Sequence, residues 1–303
     1  MTDFVDQFLK HADVVRGDPP SASTIEALAA RYGTAFPEPL LRIWNAGDLW
    51  LETLDAHVPG AGEVLQLVEK GGWPGELLAR GLVPLLNDHQ SNYLAVMVQA
   101  PLAHRVVHVP HDNGTRMLYR DLNGFARGML EALGAGKSAD LFLHETKGDY
   151  PPHEPRPQAD QDAARLLLGS DGSREEWNYA TQLLDEGNLA EWEQLLETEH
   201  FVRRDVLARM RQLQSPAIRE LLARDRHAFG EFALDVAEAA RDIGMKVGER
   251  REGVLRVEGS WMNLDAFYHR RRIPDALPRM MAWFKDLLAR RDPRERPGNF
   301  MKD

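Results

Sequence analysis

The sequence predicts an α+β fold: an N-terminal antiparallel sheet packed with helices, followed by a mainly helical C-terminal domain with one hairpin. Three observations predict this organisation. Short β-rich runs follow one another between residues 82 and 119, with turn residues between them. Leucine, alanine and tryptophan recur at helical spacing after residue 160. Residues 148–160 hold four prolines and no apolar period, which favours an extended linker. The predicted domains are therefore residues 1–147 and 161–303.

Short helices open the N-terminal domain. Residues 23–26, Ser-Thr-Ile-Glu, fit a capping box in which the serine hydroxyl caps the first turn and the glutamate reaches back. Gly33 is expected to end this helix. A second short helix is predicted after Phe36-Pro37, with Trp44 facing inward. Residues 62–80 predict a longer helix, or two helices interrupted at the Gly-Gly-Trp-Pro of residues 71–74.

Four strands and a closing helix are predicted next. The strands are separated by short links, so antiparallel pairing is expected. Asp121 is expected to open the closing helix, which has apolar residues along one face. The predicted strands are Leu82–Leu86, Asn92–Val98, Arg105–Val109 and Thr115–Tyr119.

After the linker, the pattern predicts six helices, one hairpin and a final helix. The hairpin is predicted from Lys246–Arg250 and Val254–Glu258, and the last helix spans 275–291, followed by a loose tail over 292–303. The six helices are predicted near 159–168, 173–186, 188–198, 200–213, 215–223 and 226–243.

Charge and composition narrow the classes of function. There are no cysteines, which excludes disulfides, cysteine-ligated zinc and cysteine nucleophiles and fits a reducing cytoplasm. Asp3 and Asp6 stand where a secretory signal would carry basic residues, and no apolar run is long enough to span a membrane. The net charge is −10, with −7 over residues 1–150, −8 over 151–269 and +5 over 270–303. An acidic body argues against nucleic-acid binding and favours a basic partner or simple solubility.

Histidines near the middle of the N-terminal domain raise the question of a metal or acid–base site. His108 and His111 lie close to Asp112, with His104 and His89 upstream. The run Asp112-Asn113-Gly114 is typical of a hairpin turn. Side chains alternate between the two faces of a strand, so the side chains of His108 and His111 need not point the same way. We therefore interpret this run as a turn between two strands and predict no metal ligands here.

Other chemical motifs are incomplete. The Gly-Lys-Ser at residues 136–138 lacks the upstream glycine of a phosphate-binding loop, since Glu131 stands there, and it follows a helix rather than a strand. Gly169-Ser170-Asp171-Gly172 lacks the spacing of a nucleophile elbow. The sequence therefore predicts a non-enzymatic protein without catalytic residues, cofactor or metal.

The order of short motifs between residues 23 and 133 looks like the SUKH superfamily, the domain shared by fungal cell-wall-synthesis regulators and many bacterial immunity proteins. The match covers about a third of the chain. One departure is Gln90-Ser91, where the family often has glycine. The motifs, in chain order, are Phe36-Pro37-Glu38-Pro39-Leu40, Trp44-Asn45-Ala46-Gly47, Val83-Pro84-Leu85, Asn87-Asp88, Asn92-Tyr93-Leu94, Val106-Val107, His111-Asp112 and Leu122…Phe125…Met129-Leu130.

The resemblance implies an α+β domain that binds another protein. Bacterial members typically neutralise toxins delivered between competing cells, often nucleases, and an acidic inhibitor suits the basic face of a nuclease. Core packing remains the favoured interpretation for Trp44 and Tyr93, and a cap or turn role is the alternative for each aspartate. The candidate partner-binding residues are Asp48, Trp50, Glu52, Asp55, Asp88, Tyr93 and Asp112.

Two other functions stay open. The protein could be a regulatory adaptor that binds a partner through its helical C-terminal half. It could also be an enzyme of unrecognised type that uses the histidines. The resemblance covers nothing after residue 150, and the sequence assigns no role to that half.

Overall fold

The protein is α+β and divides into two compact units between Glu154 and Pro155, inside the predicted linker. The structure, a computed structural model, describes residues 3–11, 14–88, 91–111, 114–151, 153–169, 174–251 and 253–290. Asp112 and Asn113 of the predicted turn, His89, and the predicted tail lie outside the described residues.

The N-terminal unit is built on seven strands that pair antiparallel in chain order. The strands are β1 (Val14–Arg16), β2 (Leu49–Leu51), β3 (Ala56–Val58), β4 (Leu82–Asn87), β5 (Tyr93–Met97), β6 (Val106–Val109) and β7 (Arg116–Tyr119). Each strand pairs with the next along the chain; short links join β2 to β3 and β4 to β7, whereas two helices lie between β1 and β2 and two more between β3 and β4. The four predicted strands are thus confirmed as β4 to β7, and β1 to β3 were not predicted.

Helices pack against this sheet, and the residues on both faces of β5 and β6 are buried. Trp44, Phe125 and the sheet residues Leu49, Val58 and Leu94 belong to one buried core. The helices are α1 (Phe4–Leu9), α2 (Ala22–Tyr32), α3 (Glu38–Asn45), α4 (Ala61–Lys70), α5 (Trp73–Ala79), α6 (Leu122–Gly134) and α7 (Ala139–Glu145). The break predicted within residues 62–80 is confirmed, since it separates α4 from α5.

The predicted capping box at Ser23 was wrong by two residues. Ser21 is the cap of α2: its backbone is extended and its hydroxyl accepts a hydrogen bond from the Thr24 N–H at 3.3 Å. Ala22 is a good helix former, so the first turn begins before Ser23. Gly33 ends the helix with a φ of +66°, as predicted. Asp121 caps α6 by accepting a hydrogen bond from the Gly124 N–H at 2.8 Å.

The C-terminal unit is mainly helical and has a core of its own, formed around Phe232, Val236, Tyr268, Met281 and Phe284. Its strands form one small antiparallel sheet in the order β10-β9-β8. The elements are α8 (Gln158–Leu168), α9 (Arg174–Leu183), α10 (Leu189–Leu196), α11 (His200–Gln212), α12 (Pro216–Asp242), β8 (Val247–Arg251), β9 (Val254–Val257), β10 (Ser260–Asn263), α13 (Asp265–Tyr268) and α14 (Ala276–Ala289).

Two predictions for this unit need correction. The helices expected at 215–223 and 226–243 are one continuous helix, α12. The charged run at residues 224–227 contains neither glycine nor proline, so it interrupts the apolar pattern without breaking the helix. The predicted hairpin is confirmed as β8 and β9, and β10 extends it. The predicted linker ends earlier than residue 160, because α8 already begins at Gln158.

Within the described part of the chain, no helix has both the length and the apolar character that a membrane crossing requires.

Candidate functional site

An exposed tryptophan marks the hairpin formed by β2 and β3. Leu49 and Leu51 are buried in the core, so strand alternation turns Trp50 to the opposite face, where it is 48% exposed. Trp50 and His57 are direct cross-strand partners, and their rings stack at 4.3 Å with an interplanar angle of 15°. The tryptophan is therefore held in one orientation although half of it is in water.

Acidic residues surround this tryptophan in the chain without basic neighbours. Between Arg42 and Lys70 the sequence has five carboxylates and no lysine or arginine. Two of them, Glu52 and Asp55, are exposed in the turn that joins β2 to β3. Among the described residues neither forms an ion pair, so the hairpin keeps its negative charge. We call Trp50, Glu52 and Asp55 the hairpin surface.

Asp55 has a second role that fixes the shape of this turn. Its φ is +50°, and its backbone N–H donates to the Glu52 carbonyl at 3.2 Å. Aspartate and asparagine adopt this left-handed conformation more readily than most residues. The turn therefore depends on the residue type at position 55 as well as contributing charge.

A second cluster lies beside the hairpin surface. Ligand atoms of Asp48, His57 and Glu63 all lie within 4.8 Å of one another. Nε2 of His57 is 3.1 Å from a carboxylate oxygen of Glu63, and the histidine side chain is only 6% exposed. Asp48 precedes β2, His57 is in β3 and Glu63 is in the first turn of α4. Three separate elements thus bring these side chains together, and we call them the Asp-His-Glu cluster.

Gly60 holds one member of the cluster in place. Its backbone N–H donates to Oδ1 of Asp48 at 2.7 Å. A Cβ at position 60 would lie 2.6 Å from the same oxygen, so any larger residue would push the carboxylate away. The φ of Gly60 is −73°, which other residues adopt easily. Glycine is therefore required here by the close approach of Asp48.

An open cavity of about 490 Å³ gives solvent access to this cluster. Asp48 and Glu63 line it, and so do the charged residues Asp18 and Lys70. The remaining lining residues are Pro19, Pro20, Gly60, Ala61, Gly62, Gln66 and Leu67.

The other predicted contact residues have different surroundings. Asp88 is buried, and its two carboxylate oxygens accept hydrogen bonds from the backbone N–H of Asn92 at 3.1 Å and from its side-chain amide at 2.7 Å. Tyr93 is also buried, and burial raises its pKa, as do the nearby carboxylates of Glu63 and Asp88. We give both residues a structural role in the sheet. Asp112 lies outside the described residues.

Three of the histidines considered from the sequence, His104, His108 and His111, are not part of the cluster, and the fourth, His89, lies outside the described residues. His108 is buried inside β6, opposite Leu94 and Arg116. His57 and Glu63 were missed, because neither lies in a recognisable motif. The absence of basic residues between Arg42 and Lys70 was the one signal that pointed to this region.

Neither the protein-family models nor the curated proteins compared with this chain give a match. The resemblance to the SUKH superfamily therefore stays a prediction.

Proposed function

We propose that this protein binds a basic protein through the hairpin surface and acts as an immunity-type inhibitor of a toxin. The half-exposed Trp50, held by His57 beside carboxylates that form no ion pair among the described residues, carries this proposal. Tryptophan is enriched among the residues that dominate binding energy at protein interfaces. Its rigid stacking reduces the entropy lost when a partner immobilises it.

The charges suit one class of partner. Carboxylates around an aromatic anchor attract a basic surface, raise the association rate and disfavour acidic partners. A toxin that cleaves nucleic acid has such a basic face, because it must bind phosphates. The proposed inhibitor would act in the cytoplasm by covering that face, without catalysis, cofactor or nucleic-acid binding of its own.

Capture from the source cells tests the proposal. The full chain serves as bait beside a double variant, Glu52→Gln with Asp55→Asn, which removes two charges and keeps a residue that tolerates positive φ at position 55. The matched control, Glu26→Gln with Glu131→Gln, removes two exposed charges from α2 and α6. We expect a basic protein to be retained by the full chain and the control and lost from the hairpin variant.

A toxicity assay then distinguishes inhibition from mere binding. The captured protein is expressed alone and together with each variant. Growth arrest that the full chain and the control relieve, and the hairpin variant does not, supports the proposal. A captured protein that is harmless alone, or that both double variants relieve equally, would exclude toxin inhibition through this surface.

A regulatory adaptor is the second candidate function, and one feature of the C-terminal unit favours it. Ile273 and Trp283 are each 53% exposed beside a cavity of about 510 Å³. Its lining is mostly apolar and includes Arg270 and Arg279, so it suits an acidic peptide with apolar side chains. Partner capture that is lost with Trp283→Ala, and kept with the hairpin variant, would move the function to this half.

A further inference from the structure

We propose that Asp48, His57 and Glu63 bind one divalent transition-metal ion of the zinc class. The Asp-His-Glu cluster shares no residue with the hairpin surface, although His57 stacks on Trp50; the test below measures metal binding alone, so its failure would leave the proposed partner binding untouched.

The geometry has the size that a metal site requires. Zinc bonds to histidine nitrogen and carboxylate oxygen are about 2.0–2.2 Å long, which puts neighbouring ligand atoms roughly 3–4 Å apart. Nε2 of His57 and the carboxylate oxygen of Glu63 are 3.1 Å apart. The ligand atoms of all three side chains lie within 4.8 Å of one another, so they need to draw together by no more than about 1 Å to reach the spacing around a zinc ion. The open cavity supplies water for the remaining positions.

The charges of the cluster favour a divalent cation. Asp48 and Glu63 bring two carboxylates close together, and carboxylates that share a site repel one another. With a neutral histidine the three side chains carry a charge of −2, which one divalent ion neutralises. A protonated His57 would neutralise only half of this charge. Lys70 and Asp18, which also line the cavity, carry opposite charges.

The surroundings hold two of the three ligands in place. The Gly60 N–H donates to Oδ1 of Asp48 and so restrains this carboxylate. Trp50 stacks on the His57 ring and restricts its rotation. Such supporting contacts around ligands are typical of metal sites and raise their affinity. The close approach that requires glycine at position 60 shows that the carboxylate position is built into the fold.

The donor atoms indicate which ions fit. One imidazole nitrogen with two carboxylates suits Zn²⁺, Co²⁺ or Mn²⁺, whereas Mg²⁺ and Ca²⁺ prefer sites made only of oxygen. Zinc binds such mixed sites more tightly than manganese. We therefore expect Zn²⁺ to bind in the presence of excess Mg²⁺.

Titration of the tag-free, metal-stripped full chain with Zn²⁺ tests the site. Calorimetry measures stoichiometry and affinity, and Co²⁺ absorbance reports the ligand geometry. The test variants are Asp48→Asn and Glu63→Gln, which keep the side-chain shapes. The matched control is His227→Ala, because His227 and Glu231 form an exposed histidine–carboxylate pair at 3.4 Å on α12.

We expect the wild-type chain and His227→Ala to bind one equivalent of Zn²⁺, and each test variant to bind at least tenfold more weakly. Zinc should raise the melting temperature of the wild type, and the metal-free test variants should melt close to the metal-free wild type. No stoichiometric binding by the wild type, or equal affinity in wild type and Glu63→Gln, would overturn the site. If His227→Ala were the one variant that lost zinc binding, the ion would be bound at His227 and not at the Asp-His-Glu cluster.

Discussion

Replacing Arg203 by alanine tests how strongly one buried charge network stabilises the C-terminal unit. Arg203, in α11, donates to Asp225 in α12 at 2.5 Å and to Asp265 in α13 at 3.0 Å. Its guanidinium also lies 4.5 Å from the centre of the Tyr268 ring. One side chain therefore joins three helices through charge and through ring contact.

The expected cost follows from burial. The Arg203 and Asp225 side chains are 3% and 9% exposed, so removing the arginine leaves a buried carboxylate without its cation. Breaking a buried pair in this way costs about 3–5 kcal/mol. Asp265 is 37% exposed and keeps its hydration, so it adds little. At roughly 2–4 °C per kcal/mol for a unit of this size, the melting temperature should fall by about 6–20 °C.

An exposed ion pair between α10 and α12 serves as the matched control that separates burial from charge. Arg224 and Glu193 are 2.8 Å apart but 59% and 48% exposed. An exposed pair contributes about 0.2–1 kcal/mol, so Arg224→Ala should have a small effect. Replacing both buried charges, Arg203→Met with Asp225→Leu, should restore most of the lost stability, because no buried charge is left without its partner.

Hydrogen exchange read by mass spectrometry is the suitable assay. A chain with two units need not unfold in one step, and exchange reports peptides of α11 and α12 separately from the N-terminal unit. Melting temperature provides a second measurement. Arg203→Ala and Arg224→Ala with equal effects would refute the reasoning, because burial would then make no difference to the value of the pair.

Two further predictions concern the N-terminal unit. Gly47 has a φ of +82°, and a Cβ there would lie 2.3 Å from the Gly17 carbonyl oxygen. Gly33 has a φ of +66°, but a Cβ there would meet open space. Gly47→Ala should therefore destabilise this unit by more than Gly33→Ala. Gly33→Ala alone should cost about 1–2 kcal/mol, and equal losses in urea unfolding would contradict the close approach. Burial raises the pKa of Tyr119 to about 12 from 10.0. The folded state therefore favours the neutral phenol. The resulting contribution to the free energy of unfolding is complete below pH 10 and is lost as pH rises through about 12. Tyr119→Phe should lose stability less steeply over that range, and parallel slopes of unfolding free energy against pH would exclude this role.

The strands that the sequence predicted correctly have a common property. β4 to β7 are rich in β-branched, leucine or aromatic residues and are bounded by turn residues, so their local pattern is sufficient. β1, β2 and β3 have three residues each, which is too short for a periodic signal. They form because neighbouring strands offer hydrogen bonds and because Leu49, Leu51 and Val58 enter the core.

The candidate site, too, could be predicted from the sequence only in part. Asp48, Trp50, Glu52 and Asp55 were selected from the sequence because acidic and aromatic residues suit a protein-binding surface. Trp50, Glu52 and Asp55 are exposed, whereas Asp48 is half-buried and Asp88 and Tyr93 are buried. The strand pairing puts Tyr93 on the same face of the sheet as Trp50, so only the surrounding tertiary structure decides that one is buried and the other exposed.

The sequence by itself determined the two-part organisation, most helices, the four strands β4 to β7 and the acidic character of the chain. These features depend on composition and on the spacing of apolar and turn residues over short stretches, so they can be predicted without any tertiary contact. Only the tertiary structure decided that His57 lies under Trp50 and beside Glu63. That contact requires β2 and β3 to pair in the observed register and the first turn of α4 to lie beside them. The free energy that fixes this arrangement comes from the core on the other face of the sheet.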